Sequence, residues 1–134
     1  MREALRLEPD SFDVLGDLGV ALQRQGKYED AAEGYRRVLA IQPDHALAHF
    51  NLAHCQEKLG DRAGAIASLR AALKARPEFA MCHYVLGRLL AEKGETAQAV
   101  SELQAALQID PASDEIKALL AKVQKQESSG EKGK

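Results

Sequence analysis

Along most of the chain, apolar residues return every three or four positions. From residue 12 onward, Leu15, Leu18, Gly19 and Leu22 share one helical stripe, then Gly26 interrupts it. Tyr28, Ala31, Ala32, Tyr35, Val38 and Leu39 make a second stripe that stops before Pro43. This spacing predicts two amphipathic helices joined at a glycine and closed by a proline. Glycine reaches the left-handed conformation that ends a helix, and proline cannot donate to the helical ladder. Asp44 is placed to help cap the helix that follows.

The pattern then repeats. Pro9, Pro43, Pro77 and Pro111 fall at intervals of 34 residues, and Gly26, Gly60 and Gly94 keep the same interval. So do Leu18, Leu52 and Leu86, the small residues Gly19, Ala53 and Gly87, and the alanines Ala31, Ala65 and Ala99. Small residues recurring midway along the first helix and early in the second let two antiparallel helices approach closely. A larger group at Ala65 or Ala99 is expected to force them apart, at an overpacking cost of roughly 1–3 kcal/mol.

Composition agrees. Alanine (23) and leucine (18) far outnumber valine, isoleucine and threonine together (11) among the 134 residues, a balance that favours helix over sheet. The formal net charge of −2 argues against a dominant nucleic-acid or anionic-membrane role. Membrane insertion is not expected, because no long apolar run exists. The N-terminus lacks the apolar core of a secretory signal, so a cytoplasmic location is expected.

The periodic residues resemble the tetratricopeptide repeat family, whose signature W-x2-L-G-x2-Y…A-x3-F…P spans 34 residues. The repeats read Leu15-x2-Leu18-Gly19-x2-Leu22, Ala31-x3-Tyr35, Pro43; His49-x2-Leu52-Ala53-x2-Gln56, Ala65-x3-Leu69, Pro77; and His83-x2-Leu86-Gly87-x2-Leu90, Ala99-x3-Leu103, Pro111. No tryptophan opens any repeat, and Gln56 replaces an aromatic residue. The resemblance implies an all-α, right-handed solenoid of antiparallel helix pairs. It has three full repeats, at residues 12–45, 46–79 and 80–113. Residues 1–11 read as the end of a truncated repeat, residues 114–127 as a capping helix through Ile116, Leu119, Leu120 and Val123, and residues 128–134 as a disordered tail. Residues 1–127 then make one domain, and the bare N-terminal end, with Leu5 and Leu7, is expected to support a weak homodimer.

Candidate chemistry is sparse. There is no G-x-S-x-G, no glycine-rich phosphate loop and no H-E-x-x-H, so no catalytic residue is singled out. His45 and His49 have ligand-like spacing but lack a zinc motif around them; no metal and no cofactor are expected. His49 and His83 occupy equivalent places and read as packing residues with a polar edge toward solvent. Cys55 and Cys82 read as half-buried thiols too far apart for a disulfide.

What remains is a surface. In the family, the first helices line a concave groove that binds peptides. Helical phase places Asp17, Val20 and Arg24 of the first repeat there, with Leu47, Phe50, Asn51, His54 and Lys58 of the second, and Met81, Tyr84, Val85 and Arg88 of the third. The apolar members suggest an anchoring patch, and Asn51, His54 and Arg88 supply polar orientation. Some family members clamp a C-terminal carboxylate, at positions matching Gly16, Val20, Asn51, Met81 and Val85; only Asn51 agrees, so such a clamp is not expected. The function expected is a non-enzymatic module that binds a protein or peptide partner. The alternatives are an accessory segment of a glycosyltransferase or sulfotransferase, or a self-assembling scaffold.

Overall fold

A computed structural model describes residues 11–132, with side chains from Leu18 to Ser128. The described residues form seven α-helices and no strand: α1 (Ser11–Arg24), α2 (Tyr28–Ile41), α3 (Ala46–Lys58), α4 (Arg62–Ala75), α5 (Ala80–Lys93), α6 (Thr96–Ile109) and α7 (Asp114–Lys132). They fall into two compact units, one ending at Ala75 and one beginning at Arg76. In the first, α2 packs on α1 and α3, and α3 on α4; in the second, α6 packs on α5 and α7. The expected truncated helix before Pro9, and the dimer contact placed on it, lie outside the described residues.

The glycines at the first-to-second helix turns are there for their backbone. Gly26, Gly60 and Gly94 have φ of +80°, +85° and +93°. A β-carbon at any of them would meet nothing within 4 Å, so conformation and not space requires glycine. Each turn closes with the same bond six residues wide: Lys27 N–H to the Leu22 carbonyl (2.8 Å), Asp61 to Gln56 (2.8 Å) and Glu95 to Leu90 (2.9 Å). This is a Schellman motif, which satisfies carbonyls that the helix end would otherwise orphan.

The proline loops are held differently. His49 Nε2 lies 2.8 Å from the Pro43 carbonyl, and His83 Nε2 lies 2.8 Å from the Pro77 carbonyl. These histidines therefore tether the loop before their own helix, a more specific role than a polar edge in water. The cap of α3 is His45 and not the expected Asp44: His45 Nδ1 accepts from the Ala48 N–H at 3.1 Å. At the corresponding start of α7, Ser113 Oγ accepts from the Ile116 N–H at 3.2 Å. Each side chain sits at the N-cap itself, three residues before the donor it reaches, whereas Asp44 lies one residue too early.

Three other expectations need correction. Leu18 is 41% exposed although its counterparts Leu52 and Leu86 are buried. Leu52 stands on α3, which has helices packed on both sides, whereas α1 has no preceding helix among the described residues. Cys55 and Cys82 are fully buried rather than half-buried, and both are free thiols. The last helix does not stop near residue 127 but continues through Lys132, so the expected disordered tail is helical as far as it is described. No proline interrupts Gln124–Lys132, and the one glycine, Gly130, costs only about 1 kcal/mol in a helix.

The small residues do bring helices together. Ala31, Ala65 and Ala99 are fully buried. A β-carbon on Gly19 would stand 2.8 Å from the Tyr35 ring, and one on Gly87 would stand 2.8 Å from Leu103 Cγ and 3.3 Å from the Ala99 carbonyl oxygen.

Candidate functional site

In the first unit, α3 buries Ala48, Leu52, Ala53 and Cys55 along one side. Burying that stripe turns the intervening positions outward. Leu47 is 50% exposed, Phe50, Asn51 and His54 are half-buried, and Lys58 is exposed in the last turn. An edge-on contact with Tyr28 of α2, centroids 6.1 Å apart, holds the His54 ring against its own unit. On α1, Arg24 is exposed in the last turn, and Asp17 belongs to the helix but its side chain lies outside the described residues. Val20 differs from expectation. It is half-buried and packs against the cluster of Ala31, Ala32, Tyr35, Leu52 and Cys55. An aliphatic group with no polar atom gains by leaving water for that cluster.

In the second unit, α5 buries Cys82, Leu86, Gly87, Leu89 and Leu90. Its other side carries Met81, which is 48% exposed, and the half-buried Tyr84, Val85 and Arg88. Tyr84 is fixed in place by a hydrogen bond that its hydroxyl donates to Glu115 of α7; burial and that bond both push the phenol pKa up. Arg88 Nη1 donates to Glu92 Oε2 at 3.1 Å, one turn along the same helix. The expected residues thus form two faces, one on each unit.

Two polar arrangements escaped the sequence reading. His83 Nδ1 lies 2.8 Å from Glu102 Oε1 on α6 while its Nε2 faces the Pro77 carbonyl. The signal for the loop bond was present in the sequence, as a histidine six residues after a proline at both places. The Tyr84–Glu115 bond carried no such period, because it joins α5 to α7 and has no counterpart in the preceding repeats.

Burial raises the Cys55 thiol to about 11, partly offset by nearby Arg36, and raises the Cys82 thiol to about 12, with Glu102 adding to the effect. Thiols held so firmly protonated are poor nucleophiles and poor metal ligands. Among the described residues, no group of three or more His, Cys, Asp or Glu side chains is placed to hold a metal ion, and no helix is long and apolar enough to cross a membrane.

Family profiles described as tetratricopeptide repeat match residues 10–78 and residues 50–114. The chain belongs to the tetratricopeptide repeat family. Solved tetratricopeptide repeat domains share its fold. The first such domain of Spaghetti (RPAP3), bound to the HSP90 peptide SRMEEVD, is 19% identical with a TM-score of 0.85, covering 90% of this chain and 96% of that one. The Sgt2 domain from Aspergillus fumigatus is 19% identical with a TM-score of 0.84, covering 93% and 83%. The second domain of human RPAP3, in complex with the HSP70 peptide SGPTIEEVD, is 23% identical with a TM-score of 0.77, covering 82% and 92%. No curated protein matches the sequence. Within the tetratricopeptide repeat frame, α1, α3 and α5 are the first helices of their repeats, and α7 follows in the phase of a fourth.

Proposed function

We propose that this chain is a non-enzymatic interaction module that takes a peptide or helix of a partner protein on the faces of its first helices. Residues 1–127 act together as that module. The observation that carries the reading is the exposure of Leu47 on α3 and Met81 on α5, beside the half-buried rings of Phe50 and Tyr84, on helices whose other sides are well buried. Tyr84 in particular is held ready by Glu115, so little side-chain freedom is lost when a ligand covers it. Asn51 and Lys58 on α3 and Arg88 on α5 provide polar groups beside these anchors. Support also comes from similar folds solved with bound chaperone peptides. The ligand differs from those peptides in how its end is held, because glycine, valine and methionine occupy four of the five positions of the carboxylate clamp.

The test is a Phe50→Ala, Tyr84→Ala pair measured separately and together against peptides selected on the intact chain. Aromatic anchors contribute about 2 kcal/mol or more, so each change is expected to weaken binding roughly thirtyfold. The melting temperature should change little by comparison. Parallel loss of stability and affinity would make both residues structural and defeat the proposal. The peptide SRMEEVD serves as a control and is expected to bind far more weakly than the selected ligands.

A further inference from the structure

Within the second unit, α5 and α7 leave a cleft of about 190 Å³. Its floor is apolar: Ala91 from α5, with Leu119 and Val123 from α7. Its rim carries Arg88 and Glu92 on one wall and Lys122 on the other. The two charges on the α5 wall answer each other at 3.1 Å. Lys122 is exposed, and among the described residues no hydrogen bond or ion pair joins its amine to another side chain. The cleft therefore carries one cation more than it has anions, above a floor that favours an aliphatic contact.

We infer that this cleft selects an acidic side chain of the bound peptide, with an apolar neighbour of that residue seated on Ala91 and Leu119. The inference rests on the peptide-binding reading above and adds a specificity site to it. A carboxylate entering between Arg88 and Lys122 meets the ammonium of Lys122 and the positive charge of Arg88, while Glu92 keeps Arg88 oriented. A basic side chain there would face Lys122 and Arg88 together. The sign of the excess charge thus discriminates between ligands more than it adds to affinity. The site differs from the carboxylate clamp, since neither Arg88 nor Lys122 occupies a clamp position and the group recognised is a side chain inside the peptide.

A display library of random twelve-residue peptides panned on the full chain tests the idea. The expected result is a consensus in which Asp or Glu adjoins Leu, Ile or Val. Lys122→Glu should weaken the selected peptides roughly five- to tenfold, Lys122→Gln less, and a peptide with Lys in place of the acidic residue should recover binding to Lys122→Glu. Lys122 is exposed, so its melting temperature should not move. Peptides selected without an acidic residue, or bound equally well by Lys122→Glu, overturn the specificity site while leaving the peptide-binding module intact. A library that yields no ligand at all overturns both.

Discussion

The ring of Tyr35 fills the space that a β-carbon on Gly19 would need, at a separation of 2.8 Å. In the next repeat the equivalent positions are Ala53 and Leu69, both buried. The second repeat accepts alanine opposite an aliphatic chain, whereas the third keeps glycine, Gly87, against Leu103. Tyr35 cannot withdraw, because it is buried and its hydroxyl donates to Gln23 Oε1 at 2.8 Å.

Gly19→Ala should therefore destabilise the protein by about 1 kcal/mol net. The overpacking cost of roughly 1–3 kcal/mol outweighs the helix-propensity gain of about 1 kcal/mol. Combining it with Tyr35→Leu, which reproduces the Ala53–Leu69 pair, should recover part of the loss. Urea denaturation of the four members of this double-mutant cycle is expected to show a coupling of about 1 kcal/mol. A coupling near zero would mean the two positions do not constrain each other.

The bond between His83 and Glu102 should contribute measurably. The side chains are 15% and 24% exposed, so solvent screens the pair only in part. Glu102→Ala is expected to cost about 1 kcal/mol. In the second repeat Ser68 takes the place of Glu102 and donates to Gln56 Oε1 at 2.7 Å, so His49 keeps only its loop tether. Thermal unfolding at neutral pH checks this; an unchanged midpoint for Glu102→Ala would refute it.

Most of the helix framework was legible in the residues, because the terminators are chemically unambiguous. Glycines at 26, 60 and 94 and prolines at 43, 77 and 111 bracket the helices closely. What one stripe could not reveal was the neighbour on another helix. Leu18 and Leu52 are identical in phase, yet only Leu52 is covered, and Val20 turns from an expected groove position to a core cluster. Met81 is exposed as phase predicts, whereas Phe50 and Tyr84 are half-buried. The Glu115 bond to Tyr84 and the α5–α7 cleft depend on where the last helix docks, which no repeat period specifies.

Alkaline pH should destabilise the protein. Cys55 rises from 9.0 to about 11, Cys82 from 9.0 to about 12, and Tyr35 from 10.0 to about 12, chiefly through burial. In each case the folded state holds its proton more tightly than the unfolded state. The associated stability is fully present below the unfolded values and is lost as pH climbs from about 9 toward 12. The urea midpoint is expected to be flat for these groups from pH 7 to 8.5 and to fall above 9, with a shallower slope in Cys82→Ala. Both thiols should also resist a disulfide reagent at pH 8 until the chain unfolds. Rapid labelling of the native protein would contradict their burial.

The end of α7 should be dispensable and its beginning should not. Ile116, Leu120 and Val123 are buried, whereas Gln124, Lys125 and Gln126 are exposed. A chain ending after residue 127 should melt within a degree or two of the full chain. One ending after Ser113 should lose several kcal/mol, since each buried aliphatic side chain is worth about 1.5–3 kcal/mol, and should aggregate. Equal stability of the two truncations would show that α7 does not shield the last repeat.

The histidine tethers also say where the protein can be cut and spliced. Pro43 to His49 and Pro77 to His83 each form a small ring, closed by the backbone on one side and by a 2.8 Å hydrogen bond on the other. Joining repeats at a proline loop would open such a ring and leave a histidine facing a foreign carbonyl. A junction at Gly26, Gly60 or Gly94 leaves every ring whole. The natural exchange unit of this protein is therefore a second helix followed by the next first helix, half a period out of step with the unit in which its repeats are usually written.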